Sequence, residues 1–300
     1  MRIKSLLAAA CIFASMQFAA SAQTRTIEHE YSEFDAVCVS SGFKVKLIQE
    51  DGYNAKFRVS DALESYLQCY VKAKTLYISL DEKAVPKEVK KQFKGKNTED
   101  MVLEATVYVR TLNTITLSDD CTFEANQDLS SDNFTLDLTD NSSISNLNVS
   151  AEKAKISVSK KAKLSSIQIK ADEVSVVGEG NGTLGLEYAA KKLSVNNSGS
   201  ADLKINGDAS SISVTVAGGS KLSLSGKADE LKVSGKGSSA KIDAASVSVD
   251  DVTVSLDAAD LTVAPRKKLS LDLGRGASVT YSGDPTIDIV KIQNASVTRK

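Results

Sequence analysis

Several groups of residues have types and spacings that could do chemistry. Gly235, Gly237 and Ala240 in VSGKGSSAKIDA follow the GxGxx[GA] pattern of a loop that cradles a dinucleotide pyrophosphate. Asp119 with Asp120, and Asp250 with Asp251, are carboxylate pairs of the kind that share acid and base work on a glycosidic bond at separations of about 5 to 9.5 Å. The turns LTDNSS and VGEGNGT carry the oxygen ligands a calcium ion takes. The single histidine, His29, stands between Glu28 and Glu30 in TIEHEYSEF.

Each chemistry makes demands the sequence can be held to. A dinucleotide loop joins a strand to a long helix, with an acidic residue about 20 positions on. After Gly237 the chain instead turns straight into Ala240, Lys241 and Ile242, the start of another alternating segment. One histidine in a polar terminal strand supplies neither a histidine-rich metal site nor a serine triad. Both aspartate pairs stand at turns, where Asp is favoured for its own backbone bonding, and adjacent residues of a strand point to opposite faces. The calcium-binding nonapeptide pattern is absent. No catalytic, cofactor-binding or metal residue is therefore assigned, and no cofactor is expected.

The elements that would position these residues come from a repeat. Apolar anchors stand at Phe123, Ile144, Leu164, Leu184, Leu203, Leu222, Ile242, Leu261, Val279 and Val297, at intervals of 18 to 21 residues. Two residues before each anchor the residue is small: Cys121, Ser142, Ala162, Gly182, Ala201, Ser220, Ala240, Ala259, Ala277 and Ala295. Three residues before, Asp120, Asn141, Asn181, Gly219, Gly276 and Asn294 are types that tolerate left-handed backbone. A second apolar series keeps the same frame, including Leu136 and Leu138, Ile156 and Val158, Val174 and Val176, and Val252 and Val254. Each unit reads as strand, tight corner, strand, loop.

A unit of this size cannot bury its apolar side alone, so neighbours must stack. Propeller blades need about 40 residues, twice this period. The expected fold is all-β: a parallel β-solenoid with rungs of about 20 residues, right-handed as parallel crossovers are. About ten rungs at about 4.8 Å each make a rod of about 45 to 50 Å. The small column fills a narrow wedge at the corner, and Cys121 belongs to it.

Residues 23–112 read as capping strands, with alternating FDAVCVSSGFKVKLIQ, YNAKFRVS and TLYISL and turns at Ser41–Gly42 and Asp51–Gly52. A cap is expected because open sheet edges invite aggregation. Phe43, Tyr53, Phe57, Tyr66, Tyr70 and Tyr77 are expected to fill its core. Within it, 81–100 is a Lys-dense insertion with a short helix from about Lys87; Lys83, Lys87, Lys90, Lys91, Lys94 and Lys96 form a solvated surface. Rungs occupy 113–300.

Arg2 and Lys4 precede an apolar run from Leu6 to Ala20, and Ala20-Ser21-Ala22 is a cleavage site, so 1–22 reads as a Sec-type signal peptide. The lipoprotein reading of Cys11 leaves too short an apolar run ahead of it. No other run approaches a membrane span, and a periplasmic, cell-surface or secreted location is expected. Removing Arg2 and Lys4 from 37 basic residues leaves 35 against 38 acidic ones, a net charge of −3, which offers nucleic acid no concentrated positive surface. Of Cys38, Cys69 and Cys121, an odd number, at most two can pair internally.

The opening FDAVCVSSGFKVKLIQ, then LYISL, VYVRTLNTITLSDDCTF, the corners NSGSADLKI, GGSKLSLSG and GKGSSAKIDA, and the closing GASVTYSGDPTI together resemble the GIN head domain of auto-transporter-type adhesins, found largely in exported proteins of Bacteroidota. The resemblance covers Phe34 to Val297. Asp119-Asp120-Cys121 departs from the family's glycine-bearing corner, and 81–100 is longer than usual. The resemblance implies a β-solenoid, no catalytic motif and, by name, adhesion.

The leading reading is a non-enzymatic exported β-solenoid mediating cell-surface or envelope interactions, with a surface glycan or envelope component as partner. The alternatives are a polysaccharide-processing β-helix enzyme of the envelope and a structural or stress-linked periplasmic protein. With no Trp, and only Tyr188 and Tyr281 as aromatics after Phe134, glycan contact would be polar along the rungs or lie at the cap.

Overall fold

The computed structural model describes residues 23–94, 100–125, 127–236 and 239–300. The leader 1–22, with Cys11 and its cleavage site, lies outside the described residues, as do Lys96, Gly237 and Ser238.

The chain winds into a parallel β-solenoid of about 10 turns with rungs of about 19 residues. One ladder stacks Ala36–Val39, Thr114–Leu117, the end of Leu129–Leu138, the end of Leu147–Val158, Glu173–Gly178 and Lys192–Asn197, and continues rung by rung to Thr286–Ile292. A second ladder stacks Lys44–Gln49, Thr122–Ala125, Ser143–Ile144 and Lys163–Lys170 and ends on Ser296–Arg299. The apolar anchors lie in register: Ile144 opposes Leu164, which opposes Leu184, then Leu203, Leu222 and Ile242.

The segment read as loop is a third parallel ladder. In it Val149 opposes Ile169, Ile169 opposes Tyr188, and Tyr188 opposes Gly207. Its alternation is hidden in two ways. A bulge at Ser165–Ser166 shifts the inward phase opposite Gly185. Glycine replaces the expected apolar residue at Gly207 and Gly226, where a β-carbon would stand 1.9 Å from the carbonyl oxygens of Tyr188 and Gly207 respectively.

The ladders also reach further toward the N-terminus than the readable repeat. Ala36–Val39 and Lys44–Gln49 lie parallel and in register with Thr114–Leu117 and Thr122–Ala125, so Phe34 to Gln49 forms a rung ahead of residue 113. Phe43 stands where later rungs place a small residue. It is fully buried.

The chain then leaves the coil. Tyr53–Ser60 runs antiparallel between Thr24–Glu30 and Leu103–Val109, and Leu67–Lys72 runs antiparallel to Thr75–Leu80. Thr75–Leu80 and Leu103–Val109 lie parallel beneath the first rung. The Lys-dense segment holds the helix Lys87–Gln92. No helix among the described residues is long and apolar enough to cross a membrane.

At the corner between the first two ladders, Cys121, Ser142, Ala162, Ala201, Ser220 and Ala240 are fully buried. The serines of this column satisfy their hydroxyls within it: Ser142 Oγ donates to the Leu117 carbonyl and Ser220 Oγ to that of Asn197, at 3.1 and 3.2 Å. Both the third and the fourth positions before the anchor are left-handed at Asp119–Asp120 and Asp140–Asn141, the third alone at Ala258, Gly276 and Asn294, and the fourth alone at Lys160, Gly180, Gly199 and Gly218. In that inner run the backbones touch. The amides of Ser200 and Gly219 donate to the carbonyls of Gly180 and Gly199, each at 2.7 Å, and a β-carbon at Gly199 would stand 2.8 Å from the Gly180 nitrogen.

Candidate functional site

The pyrophosphate-like glycines resolve into packing. Gly235 lies within Lys221–Lys236, opposite Val216 and Leu256, and a β-carbon there would meet the side chains of both at 2.7 and 2.9 Å. Its neighbours are large and it is small for that reason. Ala240 fills the corner column, and the strand Lys241–Asp257, not a helix, follows. Gly237 lies outside the described residues.

The two aspartate pairs part company. The Asp250 side chain is 19% exposed and binds two cations, with Lys267 Nζ at 2.8 Å and Arg266 Nε donating at 2.8 Å. The hydrogen bond from Lys267, followed by that from Arg266 and the charge of both, holds its carboxyl below the usual range. Asp251, exposed beside it and in register between Glu230 and Lys268, also acts on Lys267 through its charge. The pair is thus tied up with cations and not set across a cleft.

Asp119 and Asp120 occupy the exposed corner of the rung at Thr114–Ala125, both with left-handed backbone at φ 53° and 62°. Short polar side chains that bond locally suit that conformation. Ser118 Oγ donates to Asp119 Oδ2 at 3.0 Å, and the Asp120 amide donates to the Asp140 carbonyl. One rung further, Lys160 Nζ donates to Asp140 Oδ2 at 2.8 Å, and that bond, with the lysine's charge and a bond from Thr139, lowers the Asp140 carboxyl below its ordinary value.

These corner residues form one wall of an open groove of about 930 Å³ where the stacked corners meet the cap. Ser41, Asp119, Asp120, Asp140, Asn141 and Lys160 line the solenoid side; Gln68, Asp81, Glu82, Lys83 and Met101 line the cap side. Gln68 belongs to the hairpin of Leu67–Lys72 and Thr75–Leu80, where it opposes Ser79 while Tyr70 opposes Tyr77. Gln68 and Tyr70 are two residues apart on one strand and so leave it on the same side. Tyr70 and Tyr77 stack with ring centroids 5.2 Å apart and planes 19° from parallel. Tyr70 is 48% exposed.

That pair corrects the expectation that the cap's aromatics all fill its core. Phe43 and Phe57 do, and Tyr53 and Tyr66 pack against it half-buried, whereas Tyr70 and Tyr77 face outward. The signal was present in LQCYVK and TLYISL: Leu76 and Ile78 alternate inward, which puts Tyr77 out, and Tyr70 opposes it.

His29 is exposed on the outermost strand, with its ring 6.2 Å from that of Tyr31 and 6.5 Å from Phe57. Among the described residues no cluster of His, Cys, Asp and Glu is placed to hold a metal ion. Cys38, Cys69 and Cys121 are unpaired. Cys38 lies between the buried Val37 and Val39 and points outward, whereas Cys69 packs toward the core, so these two thiols lie on opposite sides of their sheet.

None of the curated proteins compared with the chain matches it. Among solved structures, it is similar to a "putative adhesin" of Parabacteroides merdae (16% identity, 93% of this chain and 96% of that one, TM-score 0.49). It is also similar to a "putative lipid binding protein" of Parabacteroides distasonis (19% identity, 92% and 96%, TM-score 0.46) and to a "putative adhesin" of the same organism (16% identity, 93% and 97%, TM-score 0.48). A family model matches twice, over residues 33–187 and 154–285, the overlap expected where rungs repeat. Those two matches span nearly the whole solenoid, and the chain belongs to the family described as "Putative auto-transporter adhesin, head GIN domain".

Proposed function

We propose that this chain is an exported, non-enzymatic binding rod of the cell envelope that recognises a surface glycan at the groove between the corner stack and the cap. The observation that carries the reading is the stacked Tyr70–Tyr77 pair on the same side of the hairpin as Gln68, which lines that groove. Sugar rings present apolar C–H faces and hydroxyl edges. An exposed aromatic takes the face, and nearby carboxylate, amide and hydroxyl groups take the edges. Asp119, Asp120, Asn141 and Gln68 supply those groups in the groove, and Gln68 shares its face of the hairpin with Tyr70.

The family's adhesin description is consistent with binding as the activity. The leader at 1–22 would deliver the chain across the inner membrane, and 23–300 would act as one rod. Catalysis is disfavoured because Asp250 is held by two cations and Asp119 and Asp120 are consecutive solvent-facing residues of a turn.

The test is a glycan array probed with the purified protein and with Tyr70→Ala and Gln68→Ala. Retention of the protein by a restricted set of glycans, weakened at least tenfold (about 1.4 kcal/mol) by either substitution, is expected. Glycan retention unaffected by both substitutions would remove the groove from the account.

A further inference from the structure

The two ends of the rod are finished differently. At the N-terminal end antiparallel strands and the 3₁₀ segment Asp61–Tyr66 cover the core. At the other end Thr286–Ile292 pairs with the preceding rung on one side, and no strand among the described residues pairs with its other side. Every residue of it is exposed. Of the six large exposed apolar residues among those described, four belong to this one strand: Ile287, Ile289, Val290 and Ile292. Ile287 and Ile289 continue the inward columns of Leu269 and Leu271, and Ile292 that of Leu273, so the core's own stripes run out into solvent. An open, apolar edge is a template for a further strand.

The sequence of that edge is self-complementary. The register with the preceding rung shifts between Leu271 and Asp272, so Val290 is an extra residue that keeps Ile287 and Ile292 on the inward face and Asp288 and Lys291 on the outer one; in IDIVKI, residues 287–292, a two-fold axis between Ile289 and Val290 would then pair a second copy antiparallel. Ile287 would then oppose Ile292, Ile289 oppose Val290, and Asp288 oppose Lys291. The column outside it agrees. Asp288 already sits 3.2 Å from Lys268, and Lys291 stands in register with Asp272. Pairing two copies would extend this to Lys268, Asp288, then the second copy's Lys291 and Asp272, alternating in sign without a break. A register shifted by one residue would put Asp288 and Lys291 opposite apolar side chains.

We infer that Thr286–Ile292 is a homodimerisation edge, through which two copies of this chain join end to end by antiparallel pairing. Burial of the four apolar side chains supplies the driving force, and the Asp288–Lys291 pairs set the register. The joint leaves a groove and a Tyr70–Tyr77 pair at each far end of a doubled rod. Such a rod engages a surface carrying many copies of a ligand twice, whichever ligand that is. The inference does not depend on the glycan reading.

The test is the mass of the purified protein in solution by light scattering, with amide hydrogen exchange over 286–292. The protein is expected to run as a dimer with those amides protected. Asp288→Lys and Lys291→Asp are each expected to yield folded monomers in which the amides of 286–292 that do not bond the preceding rung lose protection, judged folded by an unchanged strand-rich spectrum. The doubly exchanged Asp288→Lys, Lys291→Asp chain restores opposite charges across the joint and is expected to recover the dimer. A monomeric wild-type protein would overturn the inference. So would a dimer unaffected by the single exchanges, an unrestored double exchange, or a series of species larger than a dimer, which would mean head-to-tail stacking.

Discussion

A β-carbon at Gly226 would stand 1.9 Å from the carbonyl oxygen of Gly207, one rung below it. The two glycines let the third ladder pass backbone against backbone. Gly226 also holds φ 116°, in the region that disfavours other residues. Gly226→Ala therefore meets both a collision and backbone strain, and is expected to cost more than the about 1–2 kcal/mol that left-handed strain alone imposes. Gly276→Ala is the control: it shares a positive φ of 79°, but the nearest atoms to a β-carbon are at an ordinary 3.6 Å. Denaturant unfolding of the two variants should rank Gly226→Ala well below Gly276→Ala.

The corner column predicts a position-dependent penalty for size. Ala240→Leu is expected to destabilise by about 1–3 kcal/mol, since the wedge is closed by the rungs on either side. Ala295→Leu, in the last and only partly buried corner, should cost little. Equal effects at the two sites in thermal unfolding would mean that the column is not packed as a wedge.

How much of this was readable depends on which residues broke the pattern. The anchors and the small column are legible because packing in a wedge admits few residue types and each rung repeats the demand. The third ladder is not, because Gly207, Gly226 and the Ser165–Ser166 bulge remove its alternation. The first rung escapes the period because the antiparallel excursion through 53–109 separates Val45 from its stacking partner Phe123. The left-handed corner is also hard to place, because it takes two residues at Asp119–Asp120 and Asp140–Asn141 but one at Lys160, and there the residue type is not one that favours it. In the groove, the carboxylates Asp119 and Asp120 stood out, but Gln68 and the Tyr70–Tyr77 stack did not, because their side of the hairpin is set by pairing between Leu67–Lys72 and Thr75–Leu80.

Acid should weaken the ion pair at Asp250. Its carboxyl titrates below the ordinary range, so it contributes stability above the unfolded carboxylate value of about 3.9 and loses it as pH falls through the lower folded value. Asp250→Asn should lower the unfolding midpoint at pH 7, and the variant and wild-type curves should converge in strong acid. A gap of constant size across that range would show that the pair contributes through something other than charge.

The thiols should be inert in the native state. Burial pushes Cys69 up to about 12 and Cys121 up to about 11, and also raises Cys38. Since the thiolate is the reactive form, alkylation at pH 8 should be slow at Cys69 and Cys121. In denaturant all three should label without prior reduction. A mass showing a Cys38–Cys69 bridge would contradict the placement of those two on opposite sides of their sheet.

The central claim is that this solenoid binds and does not turn over its ligand. The most direct measurement incubates the protein with each polysaccharide that retains it and follows the appearance of new chain ends over time. The account predicts retention with no new ends, and retention that falls with Tyr70→Ala. Release of shortened products that is abolished by Asp119→Ala or Asp250→Ala would contradict it.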